Sequence, residues 1–112
     1  MNINDLTIGQ AREISQIFQS KAVNLVSIPV EIGKAYLFRT VTHIEVGRVL
    51  GIDGVFITLE NASWIPDTGR YHNCLRDGVF NEVEPYPETT TINSSSIVNF
   101  TPWLHELPTE QK

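Results

Sequence analysis

The most regular pattern of apolar and polar positions lies near the start of the chain. Between positions 8 and 18 apolar residues recur at helical spacing, with polar residues between them: Ile8, Ala11, Ile14, Ile17 and Phe18. Thr7 and Gln10 have the order of a capping box, which begins many helices. The pattern predicts a helix over residues 7–20 whose narrow apolar stripe packs on the protein's own sheet or on a partner subunit.

From position 23 the pattern changes to the alternation that is typical of β-strands. It predicts strands over residues 23–60 and again over 79–100. Within the first range, the alternation from 36 to 46 predicts one long strand. The weaker stretch at 23–32 would leave an open sheet edge, which favours pairing with a second copy of the chain.

Glycines and short polar runs predict where these strands bend or end. Gly47 predicts a bulge, and Asp53 followed by Gly54 predicts a tight hairpin turn. Residues 62–66 are expected to leave the sheet, with Asp67 capping a short helical insertion over 67–77. A last hairpin is expected around residues 94–96, followed by a loose tail over 105–112.

Composition narrows the classes of function. The 112 residues carry a net charge of −5 with a pI near 5.0, which argues against broad binding to nucleic-acid phosphates. The single cysteine, Cys74, suits a reducing compartment and is interpreted as a small buried residue. No apolar run reaches the length of a membrane span and no signal peptide is evident. The sequence therefore predicts one cytoplasmic domain, residues 1–112, without a membrane partner.

One stretch of the chain resembles a known family. The segment GRVLGID at residues 47–53 resembles the first motif of Sm-like proteins, in which a bent strand enters a hairpin. The resemblance implies a small barrel, but the loop Asn and the Arg-Gly pair of RNA-binding Sm proteins are missing, so their RNA pocket is not implied. We therefore predict a mostly β (α+β) fold: a small, strongly bent Sm- or SH3-like barrel with an N-terminal helix and the helical insertion.

The chain is also similar to small phage-encoded proteins of uncharacterised type. The similarity rests on the strand RTVT at residues 39–42, the segment WIPDTGR at 64–70 and the segment VEPYP at 83–87. Compact viral oligomers of this size include sponges that sequester cyclic nucleotide signals of bacterial immunity, as anti-CBASS and anti-Thoeris proteins do. The similarity implies a homo-oligomer, in the cytoplasm of an infected bacterial host, that binds a cyclic di- or trinucleotide or a cyclic ADP-ribose.

Residues that suit a nucleotide are concentrated in two places. The segment 64–71 combines aromatic rings for base stacking with a guanidinium for phosphate, and Arg39 lies mid-strand on an otherwise apolar face. The predicted ligand-binding residues are Arg39, Thr40, Trp64, Thr68, Arg70 and Tyr71.

Each of these places also has a purely structural interpretation. Trp64 could plug the end of the barrel while Arg70 pairs with Asp67 or Glu60. Arg39 could form a salt bridge to Glu45 or to another subunit.

Enzyme signatures are absent from the sequence. It contains no Gly-rich phosphate loop, no nucleophile elbow and no pair of metal-spaced His or Cys residues. We therefore expect a non-enzymatic binding protein without metal or cofactor. The alternatives are an Sm-like RNA-binding module and a protein-binding phage adaptor that uses Tyr86 and Trp103 as anchors.

Overall fold

The computed structural model describes residues 28–112, and the predicted helix over 7–20 lies outside them, as do residues 23–27. Within this range the chain forms six strands and one short helix. The strands are β1 (Ala35–Thr40), β2 (Ile44–Asp53), β3 (Phe56–Asp67), β4 (Glu82–Pro85), β5 (Thr90–Asn93) and β6 (Ile97–Pro102), and the helix is α1 (Tyr71–Asp77). The expectation of a mostly β fold is confirmed. Residues 28–32 belong to no strand, so the predicted strand over 23–32 is wrong for this part.

All strand pairings are antiparallel, in the order β4-β3-β2-β1-β6, and β5 pairs with the first half of β3. A 3-10 turn at Ser94–Ser96 joins β5, on β3, to β6, on β1. Asn93 stabilises this turn because its side-chain oxygen accepts a hydrogen bond from the Ser95 backbone N–H. β5 and β6 therefore have different partner strands, and the predicted hairpin between them is wrong.

The predicted long strand from 36 to 46 is divided by a tight turn at residues 41–43. The Thr40 backbone N–H donates to the His43 carbonyl over 2.8 Å, and the His43 N–H donates to the Thr40 hydroxyl over 2.9 Å. These two bonds close the turn without glycine or proline. As a result, β1 and β2 pair directly from Arg39 with Ile44 to Ala35 with Arg48.

The predicted bulge at Gly47 is confirmed. The β2–β3 register shifts between Val46 and Arg48, so Gly47 has no direct partner on β3. A Cβ at Gly47 would lie 2.9 Å from the Ala62 Cβ, closer than carbon atoms pack. Only glycine allows the two strands to approach this closely at the bend.

β3 is longer than the sequence predicts. Residues 62–66 stay in the sheet instead of leaving it, because Ser63 and Trp64 pair with β4 on one side and with β2 on the other. Helix α1 begins at Tyr71 with Arg70 as its N-cap residue, so Asp67 does not cap it. Gly78 ends the helix in the left-handed conformation, with φ of 74°.

The C-terminal segment is held against the sheet, in contrast to the loose tail predicted for 105–112. The backbone of Lys112 exchanges two hydrogen bonds with that of Val83 on β4, at 2.8 and 2.9 Å. The His105 Nε2–H donates to the Leu75 carbonyl at the end of α1 over 2.8 Å. The tail therefore covers the edge of β4 that would otherwise be open.

Buried side chains form two clusters, one on each face of the sheet. The first cluster is Val30, Tyr36, Phe38, Val49, Ile57, Leu59, Ala62 and Ile92. The second, which includes α1 and the C-terminal segment, is Leu37, Val46, Ile65, Cys74, Phe80, Val83 and Trp103. The alternation of strand side chains assigns neighbours to opposite clusters, as Leu37 and Phe38 show.

Candidate ligand-binding groove

A groove opens where β2 and β3 separate. Their last paired residues at this end are Glu45 and Trp64, and beyond them β3 continues beside β4 while the β1–β2 turn diverges from it. The groove has a volume of about 290 Å³. Its walls are the turn region and the end of β3: Arg39, Thr40, Val41, Thr42, His43, Ile44, Trp64, Ile65 and Pro66.

Three of the six predicted ligand-binding residues line this groove, namely Arg39, Thr40 and Trp64. Tyr71 lies beside it, because the Arg39 guanidinium carbon is 5.3 Å from the centre of the Tyr71 ring. This cation–π contact joins β1 to the first turn of α1. The predicted site residues thus come together from β1, β3 and α1, although up to 32 positions separate them.

Thr68 and Arg70 do not line the groove. The Thr68 hydroxyl donates to the Gly69 carbonyl over 2.8 Å, and Arg70 is exposed before α1. The interpretation that pairs Arg70 with Asp67 or Glu60 is wrong within residues 28–112. Glu60 pairs with Arg48 at 3.6 Å, and Asp67 accepts hydrogen bonds from the Gly69 backbone and the Asn81 side chain.

Arg39 supplies the positive charge of the groove. Its guanidinium forms no ion pair with an acid of residues 28–112. The predicted salt bridge to Glu45 is wrong, since Glu45 lies on the opposite face of the sheet and accepts a hydrogen bond from the Tyr86 hydroxyl. The half-buried Arg39 therefore retains its guanidinium N–H donors for an anion at this end of the groove.

His43 and Trp64 form the aromatic end. Their ring centres are 5.6 Å apart in an edge-to-face arrangement, and Trp64 is 37% exposed. Trp64 is therefore not a core plug. His43 is a groove residue that the sequence did not indicate, because it became part of the site only through the turn that Thr40 closes.

Two threonines add neutral polar atoms to the wall. The Thr40 hydroxyl donates to the His43 carbonyl over 3.0 Å, and the Thr42 hydroxyl lies 2.6 Å from His43 Nδ1. Both hydroxyls keep an accepting lone pair. The turn thereby holds the imidazole in place beside Trp64.

The other candidate chemistry of the sequence lies away from the groove. Cys74 is buried in the second cluster, as predicted, and burial raises the pKa of its thiol. No group of three or more His, Cys, Asp or Glu side chains within residues 28–112 is arranged to hold a metal ion. None of the helical segments in the same range has the length and apolar character needed to span a membrane.

Comparison with protein-family models, curated proteins and solved structures finds no match to this chain. The resemblances to Sm-like and phage-encoded proteins therefore stay predictions, and the groove itself is the basis for a functional proposal.

Proposed function

We propose that the protein is a non-enzymatic binding protein that holds a small nucleotide-like anion in the groove between the β1–β2 turn and the end of β3. The observation that carries the proposal is that one groove of about 290 Å³, at the end of the sheet, is lined by both Arg39 and Trp64, whose side chains lie on opposite faces of the sheet. A nucleotide has one group that suits each of these side chains: a phosphate for Arg39 and an aromatic base for Trp64.

The phosphate would lie at the Arg39 end. Guanidinium groups bind phosphate through two parallel N–H···O bonds, which fixes the orientation of the ligand as well as its charge. The Tyr71 ring holds the guanidinium from one side. This contact reduces the side-chain entropy that Arg39 would lose when a ligand binds.

The base would lie at the Trp64 end. Stacking of a base on an aromatic side chain contributes about 1–3 kcal/mol. Trp64, which is 37% exposed and whose ring lies beside that of the exposed His43, presents such a surface. The Thr40 and Thr42 hydroxyls, which belong to the same groove lining, suit a sugar.

The finer points of the fold belong to the same proposal. The pairings of β5 with β3 and of β6 with β1 favour a small bent barrel of the Sm or SH3 type, because they connect both sides of the β1–β2–β3 sheet through one segment. Sequestration as an oligomeric sponge in the cytoplasm of an infected host rests on the resemblance to phage-encoded proteins.

The alternatives have less support from the described residues. An adaptor that anchors on Trp103 would need that side chain at the surface, but Trp103 is only 4% exposed. Tyr86 is half-buried and its hydroxyl is bonded to Glu45. An Sm-like RNA-binding module would need a basic rim, whereas the chain has a net charge of −5.

Native mass spectrometry with matched arginine variants tests the proposal. The wild-type protein is mixed with cyclic dinucleotides, cyclic trinucleotides and cyclic ADP-ribose, and compared with Arg39→Met and Arg70→Met. We expect discrete ligand masses on the wild-type protein, recovered unchanged after incubation. Arg39→Met should weaken binding at least about tenfold, because a charged hydrogen-bonded pair contributes roughly 1.5–3 kcal/mol.

Arg70→Met is the control, since Arg70 is exposed outside the groove, and it should bind within about twofold of the wild type. Thermal melts of both variants check that the fold is intact. Absence of binding to every nucleotide, or equal binding by Arg39→Met, would overturn the proposal. Turnover of the ligand would overturn its non-enzymatic part.

A further inference from the structure

Glu45 is a buried acid next to the groove that the proposed phosphate and base contacts do not use. Only 6% of Glu45 is exposed, and its two neighbours in the strand are apolar. Its Cα partners are Phe38 on β1 and Trp64 on β3. Since directly paired residues point to the same face of a sheet, the Glu45 carboxylate and the Trp64 indole share one face at the head of the groove.

The two oxygens of this carboxylate have different surroundings. Oε1 accepts a hydrogen bond of 2.9 Å from the Tyr86 hydroxyl. Oε2 is buried and has no hydrogen-bond partner within residues 28–112. A buried polar atom without a partner destabilises the folded protein, so its presence in the sheet needs an explanation.

Ser63 provides a useful contrast. Its hydroxyl is also buried without a partner among the described residues. Ser63 pairs with Val46, which belongs to the second cluster, so its side chain lies on the opposite face from Glu45. Of these two unpartnered atoms, only the Glu45 oxygen lies on the face of the Trp64 indole.

We infer that Glu45 determines the base preference of the groove by accepting N–H donors from a guanine stacked on Trp64. This inference rests on the proposed function. Burial raises the pKa of this carboxyl, and above that pKa the ionised carboxylate offers acceptors only. The guanine edge carries two adjacent donors, the N1–H and the N2 amino group. The adenine edge has an acceptor, N1, beside its amino group. This acceptor would face a carboxylate oxygen, which also only accepts.

Oε2 is buried and Glu45 does not line the groove, so in the proposed complex the Trp64 side chain turns outward to let the base reach this oxygen. Trp64 is more than one-third exposed and its ring contacts the exposed His43, so solvent is available on its outer side. In the complex the base stacks on the indole and its N1–H and N2 edge faces the carboxylate. Tyr86 keeps the carboxylate oriented, since its phenol has a pKa raised to about 12 by burial and by the Glu45 bond and remains a donor.

The experiment compares guanosine, inosine and adenosine 5′-monophosphates by isothermal titration calorimetry. Guanine and hypoxanthine differ only in the N2 amino group. The wild-type protein should bind the guanosine nucleotide at least about tenfold more tightly than either of the others. Glu45→Gln has the same shape but a single acceptor oxygen and no charge, so its preference should fall below about threefold.

Ser63→Ala is the matched control, because it removes the other unpartnered buried atom from the opposite face, and its base preference should equal that of the wild type. Equal binding of all three nucleotides by the wild-type protein, or an unchanged preference in Glu45→Gln, would overturn the inference while leaving the proposed function standing. Failure of all three nucleotides to bind, together with the cyclic nucleotides, would overturn both.

Discussion

Because β2 and β3 approach each other closely at Gly47, one added methyl group at this position should lower the stability of the fold. In Gly47→Ala the new Cβ would lie 2.9 Å from the Ala62 Cβ and 3.2 Å from both the Ala62 Cα and the Leu59 Cβ. Two of these atoms belong to buried side chains of the first cluster, and the third is backbone. None of them can move without disturbing the sheet, because β3 pairs with β2, β4 and β5.

Overpacking of this kind costs about 1–3 kcal/mol. With about 2 kcal/mol lost, the Tm of a domain of this length falls by roughly 8 °C. Gly51→Ala is the matched control, since Gly51 lies in the same strand with open space around its Cβ position and no positive φ. That variant should be neutral, or stabilised by about 0.4–1 kcal/mol through the unfolded state.

A double-mutant cycle with Ala62→Gly separates the steric effect from other causes. Ala62→Gly alone should cost about 1.5 kcal/mol, from a lost buried methyl group and a more flexible backbone. The double variant removes the 2.9 Å contact, so it should be at least about 1 kcal/mol more stable than additivity predicts. Urea unfolding of all four proteins measures this. Additive effects, or a Gly51→Ala variant as unstable as Gly47→Ala, would refute the reasoning.

Two further predictions concern buried titratable groups. Cys74 is buried, and burial raises the pKa of its thiol. A disulfide reagent should therefore react slowly with the native protein and rapidly in denaturant. Fast reaction of the native thiol would contradict its burial. Burial likewise raises the pKa of Glu45 above its usual 4.5, against the lowering effects of the Tyr86 bond and of His43. The native state therefore holds this proton to higher pH than the unfolded state does. The stabilisation that comes from this tighter binding of the proton to Glu45 is complete below pH 4.5 and is lost as pH rises through the native pKa. Glu45→Gln should consequently gain stability relative to the wild type between pH 4 and pH 7 in urea titrations, and a constant difference would contradict this assignment.

The features that the sequence predicted correctly depend on local backbone chemistry. The bulge at Gly47, the turn after Asp53 and the end of the helical insertion at residue 77, which Gly78 follows, each use glycine where a side chain would clash or where φ is positive. Such positions can be recognised from one or two neighbouring residues.

The features that it missed depend on side-chain bonds or on distant strands. The turn after β1 is closed by the Thr40 hydroxyl in a run of residues that otherwise favours a strand. β3 continues through Pro66 because its pairing with β4 shifts register between Trp64 and Asp67, which accommodates a residue without an N–H. Neither effect follows from the alternation of apolar and polar positions.

The residues of the groove likewise divide into those that the sequence predicted and those that it missed. Arg39, Trp64 and Tyr71 were predicted from their chemistry, and the pairings of β1 with β2 and of β2 with β3 bring Arg39 to the same groove as Trp64. Arg70 was predicted because its guanidinium suits a phosphate and lies in the segment 64–71, but it lies outside the groove lining. Glu45 was predicted only as a salt-bridge partner, since its burial results from strand pairings that the sequence pattern did not indicate.

The most direct test of nucleotide binding in the groove uses the two tryptophans of the chain as separate reporters. Trp64 lines the groove, whereas Trp103 is buried with its indole N–H donating to the Glu106 carbonyl. In an NMR titration with a cyclic dinucleotide that contains guanine, the Trp64 indole signal should shift saturably and the Trp103 signal should stay fixed. A titration that shifts neither signal, or the Trp103 signal alone, would contradict the assignment of the groove as the binding site.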